Sequence, residues 1–159
     1  MKKSLLYSLF LAIGFAGNVL IAQDFNQLDS LNKLYVTAKT DSDKVVLLTK
    51  ISVHYWYNNP DTSILIAKEG QALASKIGFE IGIANSLHVM GYAYSIKGHY
   101  AAALDCNLQA LKIRERVNDK KGLERSFNNI GNIYLDKKDY ETADFYYQKG
   151  LVLAQELQI

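Results

Sequence analysis

The sequence contains 159 residues, of which 49% are apolar and 21% are charged. This length suits one ordinary domain, and the apolar content excludes wholesale disorder. The 18 basic residues nearly balance the 16 acidic ones, giving a formal net charge of +2, so we expect no nucleic-acid partner. Cys106 is the only cysteine in the sequence, which excludes an intrachain disulfide or a multi-cysteine zinc site within it.

The N-terminal segment has the three-part pattern of a secretory signal peptide. Lys2 and Lys3 form a short basic region, an uncharged and largely apolar stretch follows over residues 4–23, and Ala22 is small enough to precede a cleavage site. The pattern predicts a signal peptide at residues 1–22, export across the inner membrane to the periplasm or envelope, and no membrane insertion after cleavage. The alternative is an uncleaved membrane anchor, because the stretch is long enough to cross a bilayer.

Residues 23–40 are predicted to form an N-terminal capping helix. Leu28, Leu31, Leu34 and Tyr35 recur at the spacing of one helical face. A helix of this kind can close the end of a stack of helices, whose terminal members otherwise expose apolar surface.

The rest of the sequence carries an internal repeat with a period of about 40 residues. Shifting residues 82–119 forward by one period superimposes identical residues at Gly82/Gly122, Ser86/Ser126, Gly91/Gly131, Tyr94/Tyr134, Lys97/Lys137, Tyr100/Tyr140, Ala103/Ala143 and Leu111/Leu151. The same shift in the other direction gives a weaker match. The pattern predicts a degenerate repeat at residues 41–81 and two clear repeats at residues 82–121 and 122–159.

Each repeat is predicted to form two antiparallel helices. In the last repeat Leu123, Phe127, Ile130 and Tyr134 mark one face of a first helix. Asp139 stands where a side-chain oxygen can cap the second helix. Because no stretch alternates like a strand, the expected fold class is all-α, with antiparallel helical hairpins stacked as an α-solenoid.

Small residues recur at matching positions of the two clear repeats. Gly91 and Gly131 lie in the middle of the first helices, where glycine costs about 1 kcal/mol relative to alanine. Ala103 and Ala143 recur on the second helices. The coincidence predicts that the paired helices approach too closely at the glycines for a side chain.

These segments resemble a known family. Residues 87–94 and 127–134 share the pattern large–x2–large–Gly–x2–Tyr, and a Tyr–x2–Ala–x6–small pattern begins each second helix at Tyr100 and Tyr140. The sequence resembles the tetratricopeptide repeat (TPR) family. Its period of about 40 residues, against about 34 in the standard repeat, is similar to that of the long-helix variety. Behind a signal peptide, the layout is similar to the N-terminal part of bacterial envelope TPR signalling proteins. The resemblance implies a TPR superhelix with a concave groove.

No motif for catalysis, metal binding or cofactor binding is found. His54, His88 and His99 are too far apart for a zinc-binding pair such as His-Glu-x-x-His. Neither a phosphate-binding glycine loop nor Gly-x-Ser-x-Gly occurs. We therefore expect no metal, no cofactor and no enzymatic activity, and we expect Cys106 to be a small buried residue rather than a catalytic thiol.

The resemblance implies that residues outside the core stripe of each first helix face the concave groove. There we expect partner binding by Asn85, His88, Tyr92, Arg125, Asn128, Asn129 and Asn132. In peptide-binding members of the family, asparagines matching Asn129 and Asn132 hold the backbone of an extended peptide, since an amide both donates and accepts. The alternative is an ordinary polar surface, because Val89 and Tyr92 replace the pair in the preceding repeat.

The sequence thus predicts an exported, non-catalytic scaffold that binds a protein or peptide in its groove. The alternative is the periplasmic sensory region of a larger signal-transduction protein, such as a histidine kinase, a cyclase or a DNA-binding regulator. The last helix carries apolar residues on more than one face. We therefore expect either continuation into further repeats or self-association through the open C-terminal repeat.

Overall fold

The computed structural model describes residues 26–158. Within this range the chain forms α-helices and no β-strand, which confirms the predicted all-α fold class. The elements are α1 (26–37), α2 (Asp41–Tyr55), α3 (Pro60–Lys76), α4 (Glu80–Ile96), α5 (Tyr100–Arg116), α6 (Lys120–Asp136) and α7 (Tyr140–Leu157). None of the described helices combines the length and the hydropathy needed to cross a bilayer. The predicted signal peptide at residues 1–22 lies outside the described residues.

The turns that follow α3, α4, α5 and α6 recur at a regular interval along the chain. Each contains one residue with a positive φ, between 55° and 73°, at Gly78, Gly98, Asn118 and Lys138. A left-handed residue just after a helix reverses the chain within a few residues. In the last two turns the next residue caps the following helix: the side chain of Asp119 accepts from the Gly122 amide, and that of Asp139 accepts from the Thr142 amide. Phe79 and His99, at the same place in the first two turns, make no side-chain cap. The predicted cap at Asp139 is confirmed.

The helices pair as antiparallel hairpins, α2 with α3, α4 with α5 and α6 with α7. The hairpins stack in chain order, because α3 also packs on α4 and α5 packs on α6. In addition α2 contacts α4 and α4 contacts α6, whereas no such contact joins α3, α5 and α7 among the described residues. The stack therefore curves, with α2, α4 and α6 on its inner face and α3, α5 and α7 on its outer face.

Mid-helix glycines set the distance between the two helices of a hairpin. A Cβ added at Gly131 would lie 2.7 Å from Cε1 of Tyr147 on α7, and one added at Gly91 would overlap the side-chain amide of Asn107 on α5. The prediction that these positions leave no room for a side chain is confirmed.

The centre of the apolar core lies where the first hairpin packs on the second. It is formed by buried residues of α3, α4 and α5: Ile64, Ala67, Ala84, Leu87, Val89, Met90, Ala93, Cys106 and Ala110. The last hairpin closes around buried Phe127 and Ile130, next to the stacked rings of Tyr134 and Tyr146. Apolar burial therefore holds each hairpin together.

The N-terminal helix α1 is more loosely attached than the others. None of its side chains is fully buried, and Leu34 is 55% exposed. The Tyr35 hydroxyl donates to Oε1 of Glu69 on α3 at 3.1 Å. A helix thus occupies most of the predicted capping segment, residues 23–40, but Leu34 lies outside its packed face.

Candidate functional site

The inner face of the stack carries an open cavity of about 430 Å³ between α4 and α6. Its walls come from the second half of α4, the first half of α5 and the second half of α6. The lining residues are Gly91, Tyr92, Ser95, Ile96, Tyr100, Asn107, Asn129, Asn132, Ile133 and Asp136. Tyr92, Asn129 and Asn132 were predicted to bind a partner, and the structure brings these three together.

Asn107 makes the inner wall of the cavity polar. Its side chain is fully buried, and its Nδ2 donates to the carbonyl oxygen of Ala103 at 2.9 Å. Its Oδ1 accepts no hydrogen bond from any described residue, and a buried acceptor without a partner costs about 1–3 kcal/mol. The matching positions of the neighbouring repeats hold Ala67 and Tyr147, so the middle hairpin alone has an amide here.

His88 on α4 and Asn129 on α6 connect the two inner helices. Nδ2 of Asn129 donates to the His88 ring, whose Nδ1 lies at 3.2 Å and whose Nε2 lies at 3.5 Å. Burial and, to a smaller extent, the positive charges of Arg114 and Arg125 together lower the pKa of His88 to about 3. The imidazole is therefore neutral at pH 7 and serves as an acceptor for Asn129.

A buried arginine ties α4, α5 and the start of α6 together. Arg114 is fully buried, and its Nη1 donates to the Gly122 carbonyl oxygen at 2.9 Å and to Oγ of Ser126 at 2.6 Å. Its Nη2 donates to Oδ1 of Asn85 at 3.0 Å. The predicted binding residue Asn85 therefore uses its carbonyl oxygen in a hydrogen bond within the fold.

The charge of Arg114 is only partly compensated. Its Nε lies 3.8 Å from the Asp119 carboxylate and makes no hydrogen bond among the described residues. Burial and the nearby charge of Arg125 lower the pKa of Arg114, Asp119 partly opposes them, and the resulting pKa is about 10. The guanidinium is still protonated at neutral pH, so the junction between α5 and α6 contains a buried cation.

Three aromatic rings meet beside the cavity. The centroids of Trp56 and Tyr92 are 4.4 Å apart, and those of Tyr57 and Tyr92 are 5.7 Å apart in an edge-to-face arrangement. The hydroxyls of Tyr57 and Tyr92 share a hydrogen bond. Burial, the Tyr57 hydrogen bond and the Asp136 charge together raise the pKa of Tyr92 to about 12. Tyr92 is therefore a neutral, fixed wall of the cavity.

Asp136 is the only residue with a formal charge that lines the cavity. It ends α6, where the negative end of the helix dipole disfavours a carboxylate by about 0.3–1 kcal/mol. It forms no ion pair within the described part of the chain. Lys97 pairs with Asp61 on α3, and the ammonium of Lys137 lies 5.0 Å from the centroid of the Tyr134 ring.

The other predicted residues on α6 have different surroundings. Oδ1 of Asn132 accepts from the Tyr147 hydroxyl at 2.7 Å, which leaves its Nδ2 without a partner among residues 26–158. Arg125 is exposed, and its charge reaches His88. Asn128 lies on the α7 side of α6, because it donates to Glu124 and its Oδ1 lies over Gly150. It therefore lies apart from the cavity.

Seven of the ten lining residues were not among the predicted binding residues, and the two that matter most for the chemistry of the cavity are Asn107 and Asp136. Asp136 could have been found, because the matching positions of the two earlier repeats hold apolar Ile96 and Trp56. An acidic residue at a repeat position that is apolar in the other repeats indicates a functional role. Asn107 gave none, since an asparagine on a second helix is also compatible with exposed surface.

The described residues give no indication of metal chemistry, since no group of three or more His, Cys, Asp or Glu side chains in residues 26–158 could hold an ion. Cys106 is buried as expected. Burial and, to a smaller extent, the Asp105 charge together raise the pKa of its thiol to about 11. The thiol is therefore protonated at neutral pH and packs as a small apolar side chain.

Comparisons with known proteins agree with this architecture. A family model described as tetratricopeptide repeat matches residues 82–156, which cover nearly all of α4–α7. Among solved structures, the TPR domain of Arabidopsis FLU matches with a TM-score of 0.66 and 17% sequence identity, over 74% of this chain and 99% of the FLU chain. No curated protein matches the chain. The fold is that of a TPR domain, with helical hairpins stacked as a superhelix.

Proposed function

We propose that the protein is a non-catalytic interaction scaffold that holds an extended segment of a protein or peptide between α4 and α6. TPR domains generally bind proteins or peptides. The surface we assign to binding, here called the inner groove, consists of the cavity-lining residues together with His88 and Arg125.

The observation that carries this proposal is the pair of amides on α6. Asn129 uses its Nδ2 toward His88, so its Oδ1 is available as an acceptor. Asn132 uses its Oδ1 toward Tyr147, so its Nδ2 is available as a donor. The two residues are three positions apart on one helix and therefore neighbours on its surface. One free acceptor and one free donor suit the N–H and C=O groups of an extended backbone.

The fixed orientation of these amides favours binding over an ordinary polar surface. Each amide is held by one internal hydrogen bond, to His88 or to Tyr147. A side chain that is already ordered loses less conformational entropy when a ligand binds. Solvent-exposed asparagines without such bonds would be free to rotate, and they would gain less from a partner.

A catalytic role is not supported by the groove. His88 has a pKa of about 3, which is far from the value near 7 that suits a general base at neutral pH. Its Nδ1 is already occupied by Asn129. Ser95 lies in the cavity, but no hydrogen bond links it to a base among the described residues. The groove therefore has binding groups without an activated nucleophile.

Export and repeat class are further parts of the proposal. The basic and apolar pattern of residues 1–22 supports delivery to the periplasm or envelope. Helices α3, α5 and α7 begin at Pro60, Tyr100 and Tyr140, and this spacing supports the long-helix TPR variety. An exported scaffold also fits the alternative of a periplasmic sensory region, and the sequence beyond Ile159 distinguishes the two.

Site-specific photo-crosslinking in the cells that make the protein tests the groove. A photoreactive amino acid at Asn132, in the groove, should form a covalent adduct with a discrete partner. The same residue at Gln109, an exposed amide position on the outer helix α5, should not. Equal adducts from both positions, or adducts from Gln109 alone, would remove the case for a binding site on the inner face.

A further inference from the structure

We propose that the cavity between α4 and α6 accepts a basic side chain, preferentially an arginine, of the bound segment. The proposal rests on the interaction role given above and adds a specificity to it. It follows from the character of the groups that line the cavity: one unpaired carboxylate, amide oxygens without donors and the rings of Tyr92 and Tyr100.

The charge of the cavity is negative and uncompensated. Asp136 is its only charged lining residue and has no ion pair among the described residues. The two neighbouring lysines are directed elsewhere, Lys97 to Asp61 on α3 and Lys137 to the Tyr134 ring. A carboxylate at the C-terminal end of a helix is also unfavourable for the helix itself. A cation bound next to Asp136 would neutralise the carboxylate and would also remove its unfavourable interaction with the helix dipole.

The uncharged lining groups offer mainly acceptors. Oδ1 of buried Asn107 receives no hydrogen bond within the described range, and Oδ1 of Asn129 is also free. A guanidinium carries five N–H donors in a plane and no acceptor. It can satisfy a carboxylate and an amide oxygen at once, whereas an ammonium acts as a single point charge. Arginine is therefore the better guest.

The aromatic wall favours the same guest. The Tyr92 ring is held by Trp56 and by the hydroxyl of Tyr57. Because a guanidinium stacks on aromatic faces, a fixed ring next to a carboxylate gives it both a charged and a stacking partner. The positive charges of Arg114 and Arg125 lie toward the other end of α6, since Arg125 precedes Asp136 by about 16 Å of helix.

Matched peptides test the assignment. The probes are fluorescein-labelled nine-residue Gly/Ser peptides whose central residue is arginine, lysine or citrulline, the uncharged isostere of arginine. The intact chain should bind the arginine peptide about tenfold or more tightly than the citrulline peptide, since hydrogen bonds to charged groups are the strong ones. Lysine should give an intermediate Kd. Fluorescence anisotropy measures each Kd.

Variants locate the effect. Asp136→Asn should remove most of the arginine preference. Asp144→Asn, which removes one exposed carboxylate from the outer helix α7, should leave it intact. Asp136→Lys should reverse the preference toward a glutamate peptide, and circular dichroism should show the same helix content for all three variants.

Three results would overturn the assignment: equal Kd values for the arginine and citrulline peptides, equal losses from Asp136→Asn and Asp144→Asn, or no binding of the arginine peptide. Equal binding of both peptides, with amide NMR shifts on α4 and α6, would still leave the interaction role standing. A missing photo-crosslink at position 132 would instead count against the interaction role itself.

Discussion

The two junctions between hairpins occupy matching places in the repeat but are built from different chemistry. Where α3 meets α4, the packed position is Ala74, an apolar residue that is fully buried. Where α5 meets α6, the matching position of the next repeat is Arg114, also fully buried, with hydrogen bonds to Gly122, Ser126 and Asn85. The first junction depends on non-directional apolar burial, and the second on a polar network in which each partner needs the others.

This difference matters for function because the polar junction borders the inner groove. Arg114 holds Asn85, its charge helps to keep His88 neutral, and His88 in turn orients Asn129. Ala74, at the apolar junction, has no polar side-chain group with which to make such a connection. A polar network thus fixes the position of α6 and also the orientation of the Asn129 amide. Apolar packing alone would leave that amide free to rotate.

The largest expected effect on stability is that of Arg114→Ala, at the polar junction. Removing the guanidinium leaves several buried acceptors without a donor, and we expect a loss of about 3 kcal/mol of unfolding free energy. Arg116→Ala is the matched control: its guanidinium pairs with Glu80 at the surface, so the loss should stay below about 1 kcal/mol. Urea denaturation measures both. Similar losses would mean that the buried network contributes no more than a surface pair.

The next largest effect concerns the glycines inside the hairpins. Gly91→Leu should destabilise by roughly 3 kcal/mol through overpacking, and Gly131→Leu by less. The obstacle at Gly91 is fully buried Asn107, whereas the obstacle at Gly131 is half-buried Tyr147, which can move toward solvent. Ala101→Leu, at an exposed helix position, should change little. A larger decrease in Tm for Gly131→Leu than for Gly91→Leu would contradict this account of hairpin spacing.

The polar junction should also make stability depend on pH. Because the pKa of His88 falls to about 3 on folding, the unfolded chain binds an extra proton between about pH 6.5 and pH 3, and stability falls as the pH is lowered through that window. At pH 5 this histidine lowers the free energy of unfolding by about 2 kcal/mol relative to neutral pH. His88→Gln should remove this part of the pH dependence. Urea midpoints at pH 7 and pH 5 measure it, and an unchanged dependence in the variant would contradict the neutral-histidine assignment.

The smallest expected effect is at the outer side of α7, where no described helix packs. Leu151 and Val152 are 49% and 54% exposed, although a helix in the same position of the preceding hairpin, α5, is covered by α6. We expect weak self-association that Leu151→Glu reduces. Sedimentation velocity over a wide range of concentration checks this, and Leu108→Glu, on the outer helix α5 at 44% exposure, is the control. Equal effects of the two variants would contradict an interface at α7.

Much of the fold could be predicted from the sequence because the internal repeat determines where the helices begin and how they pair. The repeat period located the hairpins, and the paired glycines at 91 and 131 marked the closest helix contacts. Arg114 could not be predicted as buried, since an arginine in the last turn of a helix usually lies in water near the helix dipole. Because the burial of Arg114 was not predicted, the hydrogen bond that Asn85 makes with it could not be predicted either.

The structure divides the predicted groove residues more finely than the sequence could. A first helix packs against its hairpin partner and against neighbouring hairpins, so only a narrow arc of its surface remains open. Asn129 and Asn132 fall in that arc, whereas Asn128, rotated by about 100° from Asn129, lies against α7. Sequence spacing alone did not separate these neighbours, because it does not reveal how closely α7 approaches α6.

The most direct test of the central claim compares two double variants for affinity toward the crosslinked partner. Arg125→Ala with Asn129→Ala removes a cation and an amide from the inner groove, and Lys112→Ala with Gln109→Ala removes the same chemistry from exposed positions on the outer helix α5. Isothermal titration should show that the groove pair weakens the affinity about tenfold or more, which corresponds to the loss of at least one strong hydrogen bond. The outer pair should leave the Kd unchanged. Equal Kd values for the two double variants would contradict the assignment of the inner face as the binding surface.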